Sequence, residues 1–256
     1  MHHKAAPVAF GVAVSEVNFL WIDGPLSLVE NLALISFRDH GHEVKLFTYD
    51  GDYDIPGVEV VDAREILPRD RVFNYGALAG NGEGSPAGFA DLFRYKLLYE
   101  RGGYWVDIDV VALAPLPETD TFFAWNDATP TSEVNNAVLA LPAGSPLARQ
   151  LCEISASVPS EQQSWGECGP RLMSSLVQLN GLEHEVSPSS SVYPISFYQA
   201  ELPFRPDPFG RVRRRVQHSV AVHLWNEMLR RNSVGKNGPF PRSSLIATLA
   251  RRHGLL

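Results

Sequence analysis

The chain has 256 residues, 45% of them hydrophobic and 20% charged, enough apolar material for one sizeable core without a second domain. No run of 18 apolar residues occurs, so no membrane-spanning helix is expected, and the two cysteines, Cys152 and Cys168, form no metal-binding pattern. The net charge of −7 is unevenly placed: residues 205–256 hold 11 Lys+Arg against 2 Asp+Glu, a balance of +9, which leaves −16 on the first 204. Nothing pairs that basic end with a nucleic-acid-binding motif, so nucleic acid is not expected as a partner. Ala5 to Val14 is too short for a secretory leader, and free thiols suit a cytoplasmic protein. Residues 1–15 are expected to be a loosely packed segment.

The elements then follow in order. Val17 to Trp21 reads as a strand. Ser27-Leu-Val-Glu30 is a capping box, and the helix it opens carries Leu28, Leu32 and Ile35 and runs to Gly41. Glu43 to Tyr49 is a second strand, which completes the strand–helix–strand start of an α/β domain. Shorter extended runs follow at Val58–Val61 and Val72–Asn74. Asn74 to Gly84 holds four glycines without periodicity and predicts a loop near the site.

Ser85 and Pro86 next predict a helix start, as N-cap and first helical residue. Phe89, Leu92, Phe93 and Leu97 form its buried stripe, and Gly102-Gly103 stop it. Asp91 and Arg94, three apart on another face, read most simply as a surface ion pair. A short strand should then carry Asp107 and Asp109, and alternation would point both carboxylates the same way. Two like charges held that close call for a cation, such as a metal bridging a nucleotide diphosphate.

Val110 to Leu113 continues extended, and Thr121–Trp125 and Ala137–Leu141 are further strands. Asn126-Asp127 and Asn135-Asn136 fall at strand ends, where α/β folds place ligand contacts, although turn chemistry also accounts for each. Ser145–Ser157 and Gly169–Asn180 read as helices, the latter opened by Glu167-Cys-Gly-Pro170.

The block from Ala90 to Asp109 resembles the sugar-binding region of the DXD-containing retaining glycosyltransferases. That group includes yeast initiating mannosyltransferases, lactosylceramide α-1,4-galactosyltransferases and the clostridial glucosylating toxins. Ala90-Asp91, Arg94, Leu98, Gly102-Gly103, Asp107 and Asp109 carry the resemblance, with Trp105 where the family usually has tyrosine. Val17 to Ser27 is similar to the family's first strand and turn, in which Trp21 would stack on the donor uracil. Ala221-Val-His-Leu-Trp-Asn-Glu227 resembles the tail of the α-1,4-galactosyltransferase branch, with His223 as a third metal ligand. Taken without the family, Trp21 reads equally well as a core tryptophan, and a histidine placed like His223 is more often a satisfied core residue than a ligand.

The resemblance implies one GT-A-like α/β domain over residues 1–256, a mixed central sheet flanked by helices, with residues 205–256 completing the donor site. It implies a metal-dependent hexosyltransferase, with Mn²⁺ or Mg²⁺ held by Asp109, His223 and Asp107. Donor contacts would come from Trp21, Asp91, Arg94, Asp107, Trp225 and the loop residue Lys236. UDP-hexose is favoured as donor, a glycan or lipid-linked molecule as acceptor, and polysaccharide biosynthesis as the setting. Family members retain the anomeric configuration. Retention through a covalent intermediate needs a carboxylate nucleophile, and Asp127 and Glu167 are the candidates; a same-face displacement needs none.

Two alternatives stay open on sequence alone. Asp107-Ile-Asp109 also fits the nucleophile loop of haloacid-dehalogenase phosphatases, although it lies behind a helix and lacks a late acidic pair. A nucleotide-sugar-binding protein without catalysis is the other. The basic C-terminal part exceeds what two phosphates require, and so predicts peripheral contact with an anionic membrane at its inner face; a solvated rim balanced by the acidic remainder is the plainer explanation.

Overall fold

A computed structural model describes residues 15–127 and 132–256, so the expected N-terminal segment lies, apart from Ser15, outside the described residues. Six strands form the main sheet in the order β3-β2-β1-β4-β7-β6. These are β1 (Glu16–Trp21), β2 (Glu43–Thr48), β3 (Val58–Asp62), β4 (Tyr104–Val106), β6 (Phe122–Asn126) and β7 (Glu133–Ala140). Strands β3, β2, β1 and β4 run parallel, while β7 pairs antiparallel with both β4 and β6. The alternation within β1 explains why both faces are covered: Val17 and Phe19 enter one apolar cluster and Leu20 the other.

Helix α1 (Leu28–Asp39) joins β1 to β2 and packs on the first face with α7 (Leu245–Arg252). Its capping box is present as predicted, with Ser27 and Glu30 exchanging bonds across the first turn. Helix α2 (Ala87–Arg101) covers the opposite face with α3 (Pro146–Ser157) and α4 (Leu172–Leu179), burying Phe89, Leu92, Phe93 and Leu97. Gly102 and Gly103 end α2 at φ +72° and +83°. A Cβ on Gly102 would also stand 2.7 Å from the Ala143 backbone nitrogen, so glycine is required there twice over.

Several local readings are corrected. Helix α2 begins at Ala87 with Pro86 as its cap, one residue later than Ser85-Pro86 suggested, and Ser85 Oγ accepts the Ala87 N–H. Val72–Asn74 forms no strand. Gly169 is not helical: Glu167–Arg171 makes a wide turn with Gly169 at φ −91°, ψ −119°, and α4 starts only at Leu172. Asn135 and Asn136 lie within β7, which begins at Glu133 rather than Ala137.

The correction that matters most concerns Asp107 and Asp109, which are not on a strand. Strand β4 stops at Val106, and residues 107–109 form a turn closed by Val110 N–H to Asp107 O at 2.9 Å. Past the turn, β5 (Val110–Ala112) leaves the main sheet and pairs antiparallel with β8 (Ala221–His223), placing Val110 opposite His223. Two short helices, α5 (Arg211–Val216) and α6 (Asn226–Arg231), flank β8 in sequence. No helix among the described residues is long and apolar enough to cross a membrane.

Candidate active site

A cavity of about 1050 Å³ opens where β1, β4 and β7 meet α2 and α6. It sits at the ends of the parallel strands β1 and β4, beyond Trp21 and Val106, the edge at which open α/β sheets bind ligands. Its size is at the upper end of ligand pockets, which run to roughly 1,000 Å³.

Asp107, Asp109 and His223 line its floor, each offering one ligand atom within 4.8 Å of the others. The β5–β8 pairing creates this convergence. Leu224 N–H donates to Asp109 O at 2.9 Å, which fixes the tail against the turn, and His223 Nε2 then lies 3.2 Å from Asp109 Oδ1. Asn226 N–H, at the start of α6, donates to Asp109 Oδ2. Burial tends to raise the Asp109 carboxyl, but His223 and these hydrogen bonds outweigh it and hold the group below its ordinary value. Asp107 goes the other way, because burial and the neighbouring Asp109 outweigh the opposing pull of Arg94. Two carboxylates and an imidazole, with no thiolate, make a donor set suited to Mg²⁺ or Mn²⁺.

Arg94 organises the wall beside this cluster. Its guanidinium is buried, 2.9 Å from Asp107 Oδ1 and 3.3 Å from Asp91 Oδ1, donates to Asn136 O and lies 5.0 Å over the Trp105 ring. The Asp91–Arg94 pair expected at the surface is therefore internal. Asn136 Nδ2 bridges Asp91 Oδ1 at 2.8 Å and the Tyr95 hydroxyl at 2.7 Å, and that hydroxyl donates to Cys168 O at 3.0 Å. Burial pushes the Asp91 carboxyl up to about 6, with Arg94 and Asn136 holding it lower than burial alone would. Trp105 Nε1–H donates to Asp107 Oδ1 at 2.8 Å, so the tryptophan that replaces the usual tyrosine still serves the DXD turn.

Trp21, Trp225 and Lys236 line the same cavity. Trp225 adopts the left-handed region at φ +60°, unusual for a bulky residue, and costs of order 1–3 kcal/mol in backbone strain. That geometry stacks its indole on His223, with ring centroids 3.8 Å apart at 29°, while Nε1–H donates to Ile195 O at 2.8 Å. Lys236 Nζ lies 5.9 Å from the Trp21 ring centroid and pairs with Glu30.

The two nucleophile candidates are placed elsewhere. Neither Asp127 nor Glu167 lines the cavity. Asp127 is exposed and accepts the Ser189 hydroxyl, and Glu167 accepts Ser164 N–H and Oγ–H, both at 2.8 Å.

Sequence reasoning missed Glu30, fully buried, which receives Asn226 Nδ2–H at 2.9 Å as well as Lys236. The capping box was readable; partners 196 and 206 residues away were not. It also missed the far wall, where Tyr75 and Trp165 rings lie 5.5 Å apart and the Arg231 guanidinium sits 4.9 Å over Trp165.

Residues 84–132 match the family described as glycosyltransferase sugar-binding region containing DXD motif, and residues 160–254 match the alpha 1,4-glycosyltransferase conserved region. Among solved structures, the PaToxG glycosyltransferase is similar at 15% identity and a TM-score of 0.50, over 67% of this chain and 72% of that one. The UDP-bound glycosyltransferase domain from the YGT toxin is more distantly similar, at 11% identity and a TM-score of 0.39, over 92% of this chain and 81% of that one. The first likeness bears out a GT-A-like fold. Both matched segments contribute to the cavity just described, one supplying Asp91, Arg94, Asp107 and Asp109 and the other His223, Trp225 and Lys236. With a DXD-containing sugar-binding region at residues 84–132 and an alpha 1,4-glycosyltransferase region at residues 160–254, the chain is a glycosyltransferase.

Proposed function

We propose that this enzyme transfers a hexose from UDP-hexose to a glycan or lipid-linked acceptor, with retention of anomeric configuration, using Mn²⁺ or Mg²⁺. The observation that carries the reading is the convergence of Asp107, Asp109 and His223, from one turn and one distant strand, in a cavity that also holds Trp21 and Arg94. Asp109 and His223, with Asp107, would hold the cation, which supplies positive charge against the departing diphosphate. Trp21 offers an aromatic face for the uracil. Asp91 and Arg94 orient the sugar ring and fix Asp107, and Trp225 backs the metal-binding imidazole. Lys236, balanced by Glu30, adds a cation on the diphosphate side. The described residues act as one domain in this reading, with residues 205–256 completing the donor site.

The bond from the anomeric carbon to the phosphate oxygen breaks as the bond to the acceptor oxygen forms on the same face. The acceptor proton passes to the leaving phosphate. This route needs no enzyme carboxylate at the anomeric carbon, and the placement of Asp127 and Glu167 outside the cavity supports it. Asp127→Asn and Glu167→Gln should therefore keep measurable turnover; loss of all turnover with donor binding intact would overturn the same-face route. The phosphatase reading gains no support from the family matches, both of which are to glycosyltransferase regions.

A panel of UDP- and GDP-sugars, with and without Mn²⁺, tests the function. Metal-dependent UDP release from one sugar is expected, reduced by about 10³-fold in Asp109→Ala if several kcal/mol of charge stabilisation is lost. Equal release without metal, or release from no nucleotide sugar, would contradict the proposal.

A further inference from the structure

Outside the cavity, the densest charge feature is α5 and the turn before it. Arg211, Arg213, Arg214 and Arg215 are all exposed, while Val212 and Val216 anchor the helix in the core. Among the described residues none of these four arginines has a carboxylate partner; Arg214 donates to Phe209 O at 2.7 Å and Arg215 to Gln199 Oε1 at 2.6 Å. Asp207, the nearest acid in sequence, is buried and spent on capping the backbone of α5.

Two large aromatics stand out of the same surface. Phe209 and Tyr198 are each 72% exposed. The Arg211 guanidinium lies 5.7 Å over the Phe209 ring, and the Arg215–Gln199 bond ties the helix to the segment bearing Tyr198. Tyr198 in turn packs on Phe197 with ring centroids 4.1 Å apart, and Phe197 lines the cavity and touches Trp225. The patch therefore begins at the cavity rim.

We propose that Tyr198, Phe209 and the arginines of α5 form a docking surface for an anionic phospholipid bilayer, which sets the cavity against the membrane. Arginines supply attraction to lipid headgroups, and an aromatic ring standing proud of the surface gains by entering the headgroup–acyl boundary. Phe209 carries no polar group in its side chain, so water is its poorest environment and an apolar boundary its best. The −16 charge on residues 1–204 repels the same surface, which favours orientations that turn α5 inward. A lipid-linked acceptor would then reach the cavity from the bilayer. That last step rests on the transferase reading, whereas the docking itself is measured without donor or metal.

Vesicle flotation at low salt is the test, using phosphatidylcholine alone and phosphatidylcholine with 30–40% phosphatidylglycerol (roughly; enough to give a strongly negative surface). Wild type should float with the anionic vesicles only and detach as salt rises. Replacing Arg211, Arg213 and Arg214 by Gln should weaken partitioning by about 100-fold, at about fivefold per arginine, and Phe209→Ala by about tenfold. Both variants should keep wild-type circular dichroism and UDP release in solution. Absence of flotation by wild type would overturn the proposal. So would flotation unchanged in both variants, or displacement from vesicles by an equal charge of double-stranded DNA, which would mark a general polyanion site.

Discussion

Asp91 shows how far a single residue departs from what its sequence neighbours suggest. Three residues before Arg94 on a helix, it has the spacing of a surface pair, yet both side chains are buried and joined to Asp107 and Asn136. The helical stripe was legible because apolar spacing reports the buried face. The burial of a charged pair was not, since it depends on β7, which supplies Asn136 and the carbonyl that Arg94 needs. Burial has a consequence for pH. The folded protein protonates Asp91 below about 6, while its ordinary value is 3.8, so between these limits the native state holds the extra proton. This group therefore favours folding at the acid side of that window and loses that contribution as pH rises through about 6. Donor binding should change in the opposite sense, strengthening as Asp91 ionises and becomes a full acceptor for sugar hydroxyls. Titration calorimetry with the UDP-sugar between pH 5 and 7.5 checks this; Asp91→Asn should bind more weakly and flatten the profile, and an unchanged profile would count against its role.

At the level of elements, the DXD segment was read as a strand, and residues 107–109 are instead a turn. Alternation predicted carboxylates on one side, and they do face one cavity, but a turn achieves it. A continuous strand would have left β5 in the main sheet, away from β8 and His223. Tail residues 221–227 were legible through resemblance, whereas the antiparallel register that sets Val110 opposite His223 depends on long-range pairing that spacing does not report. The Gly-Pro turn before α4 is a second such case. Read as a helix start, it is instead a wide turn in which Gly169 presses against α2, and an added Cβ would stand 2.8 Å from Asp91 Oδ2. Because φ at Gly169 is negative, the obstacle is contact rather than backbone strain. Gly169→Ala should lower stability by about 1–3 kcal/mol through overpacking and raise the donor Kd by pushing Asp91 out of line. Urea unfolding and donor titration read the two effects separately. Wild-type values in both would show that the close approach is without consequence.

At the scale of the molecule, strand order explains why residues so distant in sequence share one cavity. The parallel strands β1 and β4 bring Trp21 beside the DXD turn, β7 adds Asn135 and Asn136, and the small β5–β8 sheet returns the C-terminal part to the same edge. The fold class was readable because the glycine stop and the capping box carry local physics, whereas the tail half of the candidate site was suggested by resemblance alone. What joins the halves was not readable, since Glu30, Asn226 and Lys236 meet only after the whole chain has folded. The central claim is that this junction builds one cation site from Asp107, Asp109 and His223. Its most direct test is Mn²⁺ binding followed by electron paramagnetic resonance, with and without UDP, on wild type and on His223→Ala. Wild type should bind Mn²⁺ more tightly when UDP is present, and His223→Ala should lose about 10–100-fold in affinity while keeping its fold. Mn²⁺ affinity unaffected by both UDP and the His223 substitution would contradict the account.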